Sequence, residues 1–173
     1  GYAETVEMNG LTYAIPHATF YKFTDVDPVV NHSSIHYRKD WAKQVGMNDF
    51  GANGTIKLSE LKEYIKKVAD AGLCSKPYLA GTISGVIEVF KLANGIDSTS
   101  DFTKSENGTY IYTPETDEYI DLIKTVQQWY KGSLLDPDAY VTDTSTAFEE
   151  YKTGLSPAIY TVGGVGNYQD MLS

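Results

Sequence analysis

The stretch from residue 118 to residue 161 constrains the fold most, because it orders a helix, a turn, a second helix and a strand. Apolar residues at helical spacing give the first helix one apolar face. That predicted face consists of Tyr119, Ile123, Val126 and Tyr130. Gly132 is typical of a residue that ends a helix. An α-helix with one apolar face must pack on another layer, so the stretch predicts helices on a sheet.

The second half of this stretch supplies the turn, the second helix and the strand. Asp136-Pro137-Asp138 is a turn sequence whose aspartates favour local hydrogen bonds to the backbone. Thr144 or Ser145 is predicted to cap the next helix, with Phe148 and Tyr151 facing inward. Residues 157–162 form an apolar strand that runs into glycines.

The same alternation of helices and strands extends along the rest of the chain. Strand patterns occur at 11–15, 34–37, 77–81 and 109–112, and helix patterns at 38–46, 58–72, 84–93 and 167–172. Residues 97–108 are predicted to form a polar loop. We expect a single α/β domain with helices packed on a mixed, mostly parallel sheet.

Charge and composition exclude several classes of function. The formal net charge of −9 argues against nucleic acid, because phosphate binding requires a basic face. The densest basic cluster (Lys62, Lys66 and Lys67) has the spacing of a solvated helix face. No apolar run approaches the 18 residues typical of a membrane span. The single cysteine, Cys74, cannot form an intramolecular disulfide and is expected to be a small buried apolar residue.

Four motifs in order carry a family resemblance. They are NGLTYAIP at 9–16, IHYRKDWAKQVG at 35–46, TIKLSELKEYIKKVADAG at 55–72, and W-Y-K-G-x-L-L-D-P-D with F-x-x-Y-K-T-G-x-x-x-A-I within 129–159. With these motifs the chain resembles the maltose-binding-protein-like family of extracellular solute-binding proteins (family 1). These bacterial carbohydrate receptors deliver sugars to ATP-binding-cassette (ABC) importers. The resemblance extends from about Glu7 to Met171.

The resemblance implies a two-lobed receptor that closes on its ligand. Residues 1–173 correspond to one lobe, the second, of a class II periplasmic-binding-protein-like fold, and 11–16 to the first strand that crosses between lobes. The implied partners are a sugar-like small molecule, the first lobe of the same protein and an ABC permease. The implied location is extracellular, as a cell-surface lipoprotein or in the periplasm. No cofactor is implied.

The resemblance also places the ligand site at three loops. The implied binding residues are His17, Thr19, Tyr21, Thr82, Ser84, Thr161, Gly163 and Gly164. Sugar sites combine aromatic faces with hydrogen-bonding groups, because a sugar ring has both C–H surface and hydroxyls. Ligand sites of α/β folds also gather beyond strand ends, where helix N-termini present free N–H groups.

Residues 49–60 resemble an EF-hand loop and give a candidate calcium site. Asp49, Asn53 and Glu60 occupy positions 1, 5 and 12 of such a loop. Gly51 at position 3 and Lys57 at position 9 lower the expected affinity for a hard dication. Glu60 has an alternative role as an anion in the first turn of a helix. A calcium-stabilised surface or adhesion domain is therefore one alternative interpretation of the chain.

An enzyme of the glycoside-hydrolase class is the other alternative. Asp136 and Asp138 are the paired carboxylates that such chemistry would use, although their place in a turn favours a structural role. No Gly-x-Ser-x-Gly, P-loop, HExxH or Rossmann motif is present. The sequence has no Cys, Asp or Glu at zinc-site spacing from His32 or His36. The sequence predicts a binding protein rather than an enzyme.

Overall fold

The structure is a computed structural model that describes residues 7–8, 11–12, 34–52, 54–97, 100–105 and 107–161. The chain divides into two units, Gly1–Asn31 and His32–Ser173. In the first unit, β1 (Glu7–Met8) and β2 (Leu11–Thr12) pair antiparallel. The strand predicted to begin at Leu11 is confirmed over its first two residues. The remainder of the predicted crossing strand, 13–16, lies outside the described residues.

The second unit contains five strands and five α-helices among its described residues. In chain order they are β3 (Ser34–Tyr37), α1 (Lys39–Gln44), α2 (Leu58–Asp70), β4 (Leu79–Ala80), α3 (Ile83–Ala93), β5 (Phe102–Lys104), β6 (Tyr110–Tyr112), α4 (Asp117–Lys131), α5 (Thr144–Lys152) and β7 (Ala158–Thr161). A 3-10 turn at Thr113–Glu115 precedes α4. No helix in the described ranges is long and apolar enough to cross a membrane.

A three-stranded mixed sheet in the order β3-β7-β4 lies at the centre of this unit. β4 runs parallel to β7, pairing Leu79 with Ala158, and β3 runs antiparallel to it, pairing Ile35 with Tyr160. A single parallel bridge joins Leu79 to Leu135 on the other side of β4. The carboxyl ends of β4 and β7 therefore lie at the same edge of the sheet.

Both faces of the sheet are covered by helices. Side chains alternate along each strand, so Leu79, Ala158 and Tyr160 pack with the larger core cluster, to which α1, α2, α3 and α4 contribute. Ala80 and Ile159 pack on the opposite face with Ala147 and Tyr151 of α5. The predicted α/β class is confirmed.

Helix α2 forms where its sequence predicts it. Its buried side chains are Leu61, Tyr64, Ile65 and Val68, at the spacing of one helix face. Gly72 has φ +64° just beyond the helix, a conformation that glycine adopts without strain. The Tyr64 hydroxyl lies 3.1 Å from the Arg38 carbonyl and 3.2 Å from the Pro157 carbonyl, so it ties α2 to the sheet. Burial raises the pKa of Tyr64.

The predicted inner face of α4 is correct at Val126 and wrong at Ile123 and Tyr130. Leu122, Val126 and Trp129 are buried, whereas Ile123 is 38% exposed and Tyr130 is 46% exposed. The sequence offers two adjacent apolar stripes. The buried stripe is selected by α3, whose Phe90 ring meets Trp129 edge-on at a centroid distance of 5.2 Å.

Two further local predictions are corrected. The segment predicted as a polar loop contains β5, which pairs antiparallel with β6 in a separate hairpin. Helix α5 is capped by Asp143 rather than by Thr144 or Ser145, because Asp143 Oδ1 accepts from Thr146 N at 2.7 Å. The sequence interpretation placed the N-cap one or two positions too late and assigned it to a hydroxyl rather than to a carboxylate. The strands at 34–37 and 158–161 and the helices at 39–44 and 83–93 agree with the sequence.

The amino ends of β4 and β7 are joined by a closed polar network, here called the amino-edge network and consisting of Lys76, Tyr78, Glu150 and Ser156. Glu150 is 8% exposed and accepts from Lys76 Nζ at 2.5 Å and from the Tyr78 hydroxyl at 3.0 Å. Ser156 is fully buried and donates to the Tyr78 carbonyl at 2.7 Å. Burial and the hydrogen bond to Glu150 raise the pKa of Tyr78.

Candidate functional site

A cleft of about 190 Å³ opens at the carboxyl ends of β4 and β7, between the first turns of α3 and α5. We call it the carboxyl-edge cleft. Its lining residues are Gly81, Thr82, Ser84, Gly85, Glu88, Thr144, Ala147, Ile159 and Tyr160. Hydroxyl groups, one carboxylate and one aromatic ring therefore face the same space. Sites at this edge are typical of α/β ligand-binding folds, because loops and helix N-termini converge there.

Thr82 positions the first turn of α3. It is the N-cap residue, and its Oγ1 accepts from Gly85 N at 3.2 Å and lies 3.0 Å from Ser84 Oγ. The backbone N–H of Ile83 donates to the Ala139 carbonyl at 2.9 Å, which holds the helix start against the loop after the DPD turn. Ser84 is exposed in the same turn. Thr82 therefore forms part of the wall of the cleft, and the exposed Ser84 lines the same space.

Gly85 packs closely against the ring of Tyr160. A Cβ placed on Gly85 would lie 3.1 Å from Tyr160 Cδ1, closer than ordinary van der Waals contact. Tyr160 is 6% exposed and also lines a second cavity of about 380 Å³, bounded by the loop before α2 and the last turn of α3. This ring therefore separates two neighbouring cavities at the carboxyl edge.

The first turn of α5 forms the other wall. Asp143 Oδ1 accepts from Thr146 N and from Ser145 Oγ, each at 2.7 Å. The backbone hydrogen bond from Thr146 is the main reason that the pKa of Asp143 lies below its ordinary value. Thr144 is exposed and lines the cleft. As in α3, the capping side chain accepts a hydrogen bond from the first turn of its own helix, and an exposed hydroxyl residue of that turn lines the cavity.

The residues predicted from the resemblance are described only in part. Thr82 and Ser84 lie together in the cleft. Thr161 ends β7, where its backbone pairs with Ser34. His17, Thr19, Tyr21, Gly163 and Gly164 lie outside the described residues, so their part in the site stays a prediction.

Three cleft residues with polar or aromatic side chains, Glu88, Thr144 and Tyr160, were missed by the sequence interpretation. Glu88 lies four residues after Ser84, and this spacing places both on one helix face. The sequence interpretation placed Tyr160 in a strand and Thr144 at a helix cap. Strand alternation from Ile159 would have placed Tyr160 on one defined face, but only the approach of α3 brings that face to the cleft.

The predicted calcium loop has one carboxylate engaged locally. Glu60 Oε2 accepts from Lys57 N at 2.9 Å, which closes the first turn of α2 as the alternative role predicted. Gly51 has φ +67°, and a Cβ there would meet Tyr37 Oη at 2.8 Å. Asn53 lies outside the described residues. Within the described ranges no group of three or more His, Cys, Asp or Glu could hold a metal ion, and calcium binding by Asp49, Asn53 and Glu60 stays a prediction.

The paired carboxylates at the DPD turn shape the chain, as expected. Asp136 is 2% exposed, and its carboxylate accepts from Asp138 N and from Thr142 Oγ1, both at 2.9 Å. Asp138 is exposed two residues later in the same turn. Glycoside hydrolysis needs two carboxyl groups on either side of the scissile bond, and these two belong to one turn.

Similarity to known proteins is found in the fold and not in the sequence. No protein-family model matches the chain, and no curated protein sequence matches it. Among solved structures, a sugar transporter from Arthrobacter chlorophenolicus with bound laminaribiose is similar, with a TM-score of 0.56 and 18% identity over 78% of this chain and 32% of that one. Maltose-bound T. maritima MalE3 has a TM-score of 0.56 and 16% identity over 92% of this chain and 37% of that one. The chain therefore has the periplasmic-binding-protein-like α/β fold and spans about a third of each of these two neighbours.

Proposed function

We propose that this chain is one lobe of an extracellular solute-binding protein of the family 1 type, which binds a carbohydrate and delivers it to an ABC importer. The carboxyl-edge cleft is the main support, because it combines hydroxyls, a carboxylate and an aromatic ring where α/β folds bind ligands. The fold, shared with two sugar-bound proteins of which this chain covers 32% and 37%, supports the same proposal.

The mechanism follows from the small size and openness of the cleft. A cavity of about 190 Å³ is below the roughly 300 Å³ at which small-molecule sites usually begin, which supports a site completed by a second surface. A second lobe would supply that surface. The ligand would favour the closed arrangement because it contacts both lobes there and only one in the open arrangement.

Titration calorimetry tests the completed site. The chain joined to its other lobe should bind one or more members of a panel of neutral mono- and disaccharides that includes maltose and laminaribiose. The 173-residue chain alone should bind no member of the same panel tightly. Tight binding by the lone lobe would contradict hinge closure, and silence of the two-lobed protein across the panel would contradict the carbohydrate assignment.

Two serines at the same helical position make a matched pair of variants. Ser84 and Ser59 are both exposed and each lies two residues after its helix N-cap, but only Ser84 faces the cleft. Ser84→Ala should weaken sugar binding about 3- to 10-fold, the effect of one lost hydrogen bond, and Ser59→Ala should not change it. Equal effects of the two substitutions on sugar binding would show that the carboxyl-edge cleft is not the sugar site.

A further inference from the structure

The hairpin of β5 and β6 carries an exposed row of aromatic side chains. Its register pairs Phe102 with Tyr112 and Lys104 with Tyr110, and alternation places these four side chains on one face. Phe102, Tyr110 and Tyr112, here called the aromatic stripe, are 53%, 65% and 45% exposed. Contiguous exposed aromatic surface is uncommon on proteins unless it binds something.

Hydrogen bonds at both ends hold this hairpin in shape. At its base, Thr113 N donates to the Asp101 carbonyl at 2.8 Å, and the hydroxyls of Thr103 and Thr113 lie 2.9 Å apart. At its tip, Ser105 N donates to the Thr109 carbonyl at 2.8 Å. An isolated two-stranded hairpin is only marginally stable, so these contacts preorganise the aromatic stripe.

A cavity of about 440 Å³ adjoins the aromatic stripe. Phe102, Lys104 and Tyr110 line it from the hairpin, together with polar side chains from the loop after α3 and from the start of α4. Its volume falls within the range of small-molecule sites. The cavity and the stripe therefore form one continuous surface, with a recess at one end.

The chemistry of this surface selects a class of ligand. Two carboxylates, Asp97 and Glu118, line the cavity against one ammonium group, that of Lys104, and the chain as a whole is acidic. Anionic ligands are therefore disfavoured. Hydroxyls and an amide, from Asn94, Ser100, Thr103 and Thr116, stand beside the aromatic rings. A neutral molecule with many hydroxyls and apolar C–H faces matches this combination.

We propose that the aromatic stripe and its adjoining cavity form a second carbohydrate site, which binds a neutral glucan chain. This site is distinct from the carboxyl-edge cleft, because the cleft lies at the first turn of α3 and the cavity at its last. The 11 residues of α3 separate them by about 16 Å. The second site does not need the other lobe, so it acts whether or not hinge closure occurs.

Affinity electrophoresis of the 173-residue chain through gels that contain a soluble β-1,3-glucan or a soluble α-1,4-glucan tests this site. At least one glucan should retard the wild-type chain, and polygalacturonate should not. Tyr112→Ala and Tyr110→Ala should each weaken retardation about 3- to 10-fold, the effect of removing one aromatic contact. Tyr130→Ala is the matched control for Tyr112→Ala, because the two side chains are 46% and 45% exposed but Tyr130 lies on α4 and not on the hairpin.

The outcomes separate this proposal from the proposed function. Ser84→Ala should leave retardation by glucan unchanged, because Ser84 lies in the carboxyl-edge cleft. The second site would therefore stand even if the cleft proved not to bind sugar. No retardation of the wild-type chain by either glucan would overturn the second site, as would equal losses in Tyr112→Ala and Tyr130→Ala. Self-association abolished by Tyr110→Ala, without glucan binding, would identify the stripe as a protein contact instead. Circular dichroism checks that each variant remains folded, and Tyr110, the most exposed of the three rings, is the variant least expected to disturb folding.

Discussion

The two edges of the central sheet carry polar residues of similar kinds, but these residues are buried at one edge and exposed at the other. At the amino edge, Glu150 and Ser156 are buried, and their side chains hydrogen-bond within the protein. At the carboxyl edge, Ser84 and Thr144 are exposed around an open cleft. A buried polar group must be satisfied internally, whereas an exposed one in a concavity remains available. The comparison teaches that internal hydrogen bonding separates structural polar residues from candidate ligand contacts.

Breaking the amino-edge network should give the largest effect. Glu150→Ala leaves the buried Tyr78 hydroxyl and the half-exposed Lys76 ammonium without their carboxylate, so the free energy of unfolding should fall by about 2–3 kcal/mol. Urea unfolding measures this change. Glu149→Ala is the control, because Glu149 is 62% exposed and lies 4.0 Å from Lys152, and it should cost less than about 0.5 kcal/mol. Similar losses in both variants would show that the buried hydrogen bonds of Glu150 stabilise the fold no more than the exposed carboxylate of Glu149 does.

The same substitution at the two edges sharpens the comparison. Ser156→Ala leaves the Tyr78 carbonyl without its buried donor and should reduce the free energy of unfolding by about 1–2 kcal/mol. Ser84→Ala should change it by less than about 0.5 kcal/mol, because Ser84 is exposed. Chemical unfolding of the two variants side by side checks the order. A greater loss at Ser84 would reverse the assignment of roles.

Within the cleft itself, Thr82 should behave as a structural residue. Thr82→Ala removes the N-cap of α3 and should cost about 1 kcal/mol, and Thr82→Ser should restore most of it, because the hydroxyl is what accepts from Gly85 N. Thermal unfolding measures both variants. Equal instability of the serine variant would show that the threonine methyl group, rather than the cap, is important.

The smallest expected effect is a pH dependence from His36. Burial lowers the pKa of His36 in the folded chain below its ordinary value of 6.5. Below about pH 6.5 the unfolded chain therefore binds more protons than the folded one, and stability falls as the pH decreases through this window. Above it the contribution is constant. Unfolding from pH 8 to pH 5 should show this decline in the wild type and a shallower one in His36→Gln.

Several local features were predictable because neighbouring residues specify them. The glycines at positions 46, 72 and 154 with positive φ and the apolar spacing of α2 mark helix ends and faces within a few residues. The Asx role of Asp136 was also predictable from its place before Pro137. The EF-hand pattern shows the limit of such reasoning, since one sequence position, Glu60, serves equally well as a calcium ligand or as the partner of Lys57 N.

The order of most helices and strands and the α/β class were determined by the sequence itself, because periodicity and capping are local. The two cleft residues at the start of α3 were expected from the family resemblance. Only the tertiary structure decided which stripe of α4 is buried, since Phe90 from α3 selects Trp129 over Tyr130. It also decided that Glu88, Thr144 and Tyr160 share one cavity. Glu88 on α3 is far along the chain from Thr144 on α5 and Tyr160 on β7, and no local pattern records that such distant elements meet.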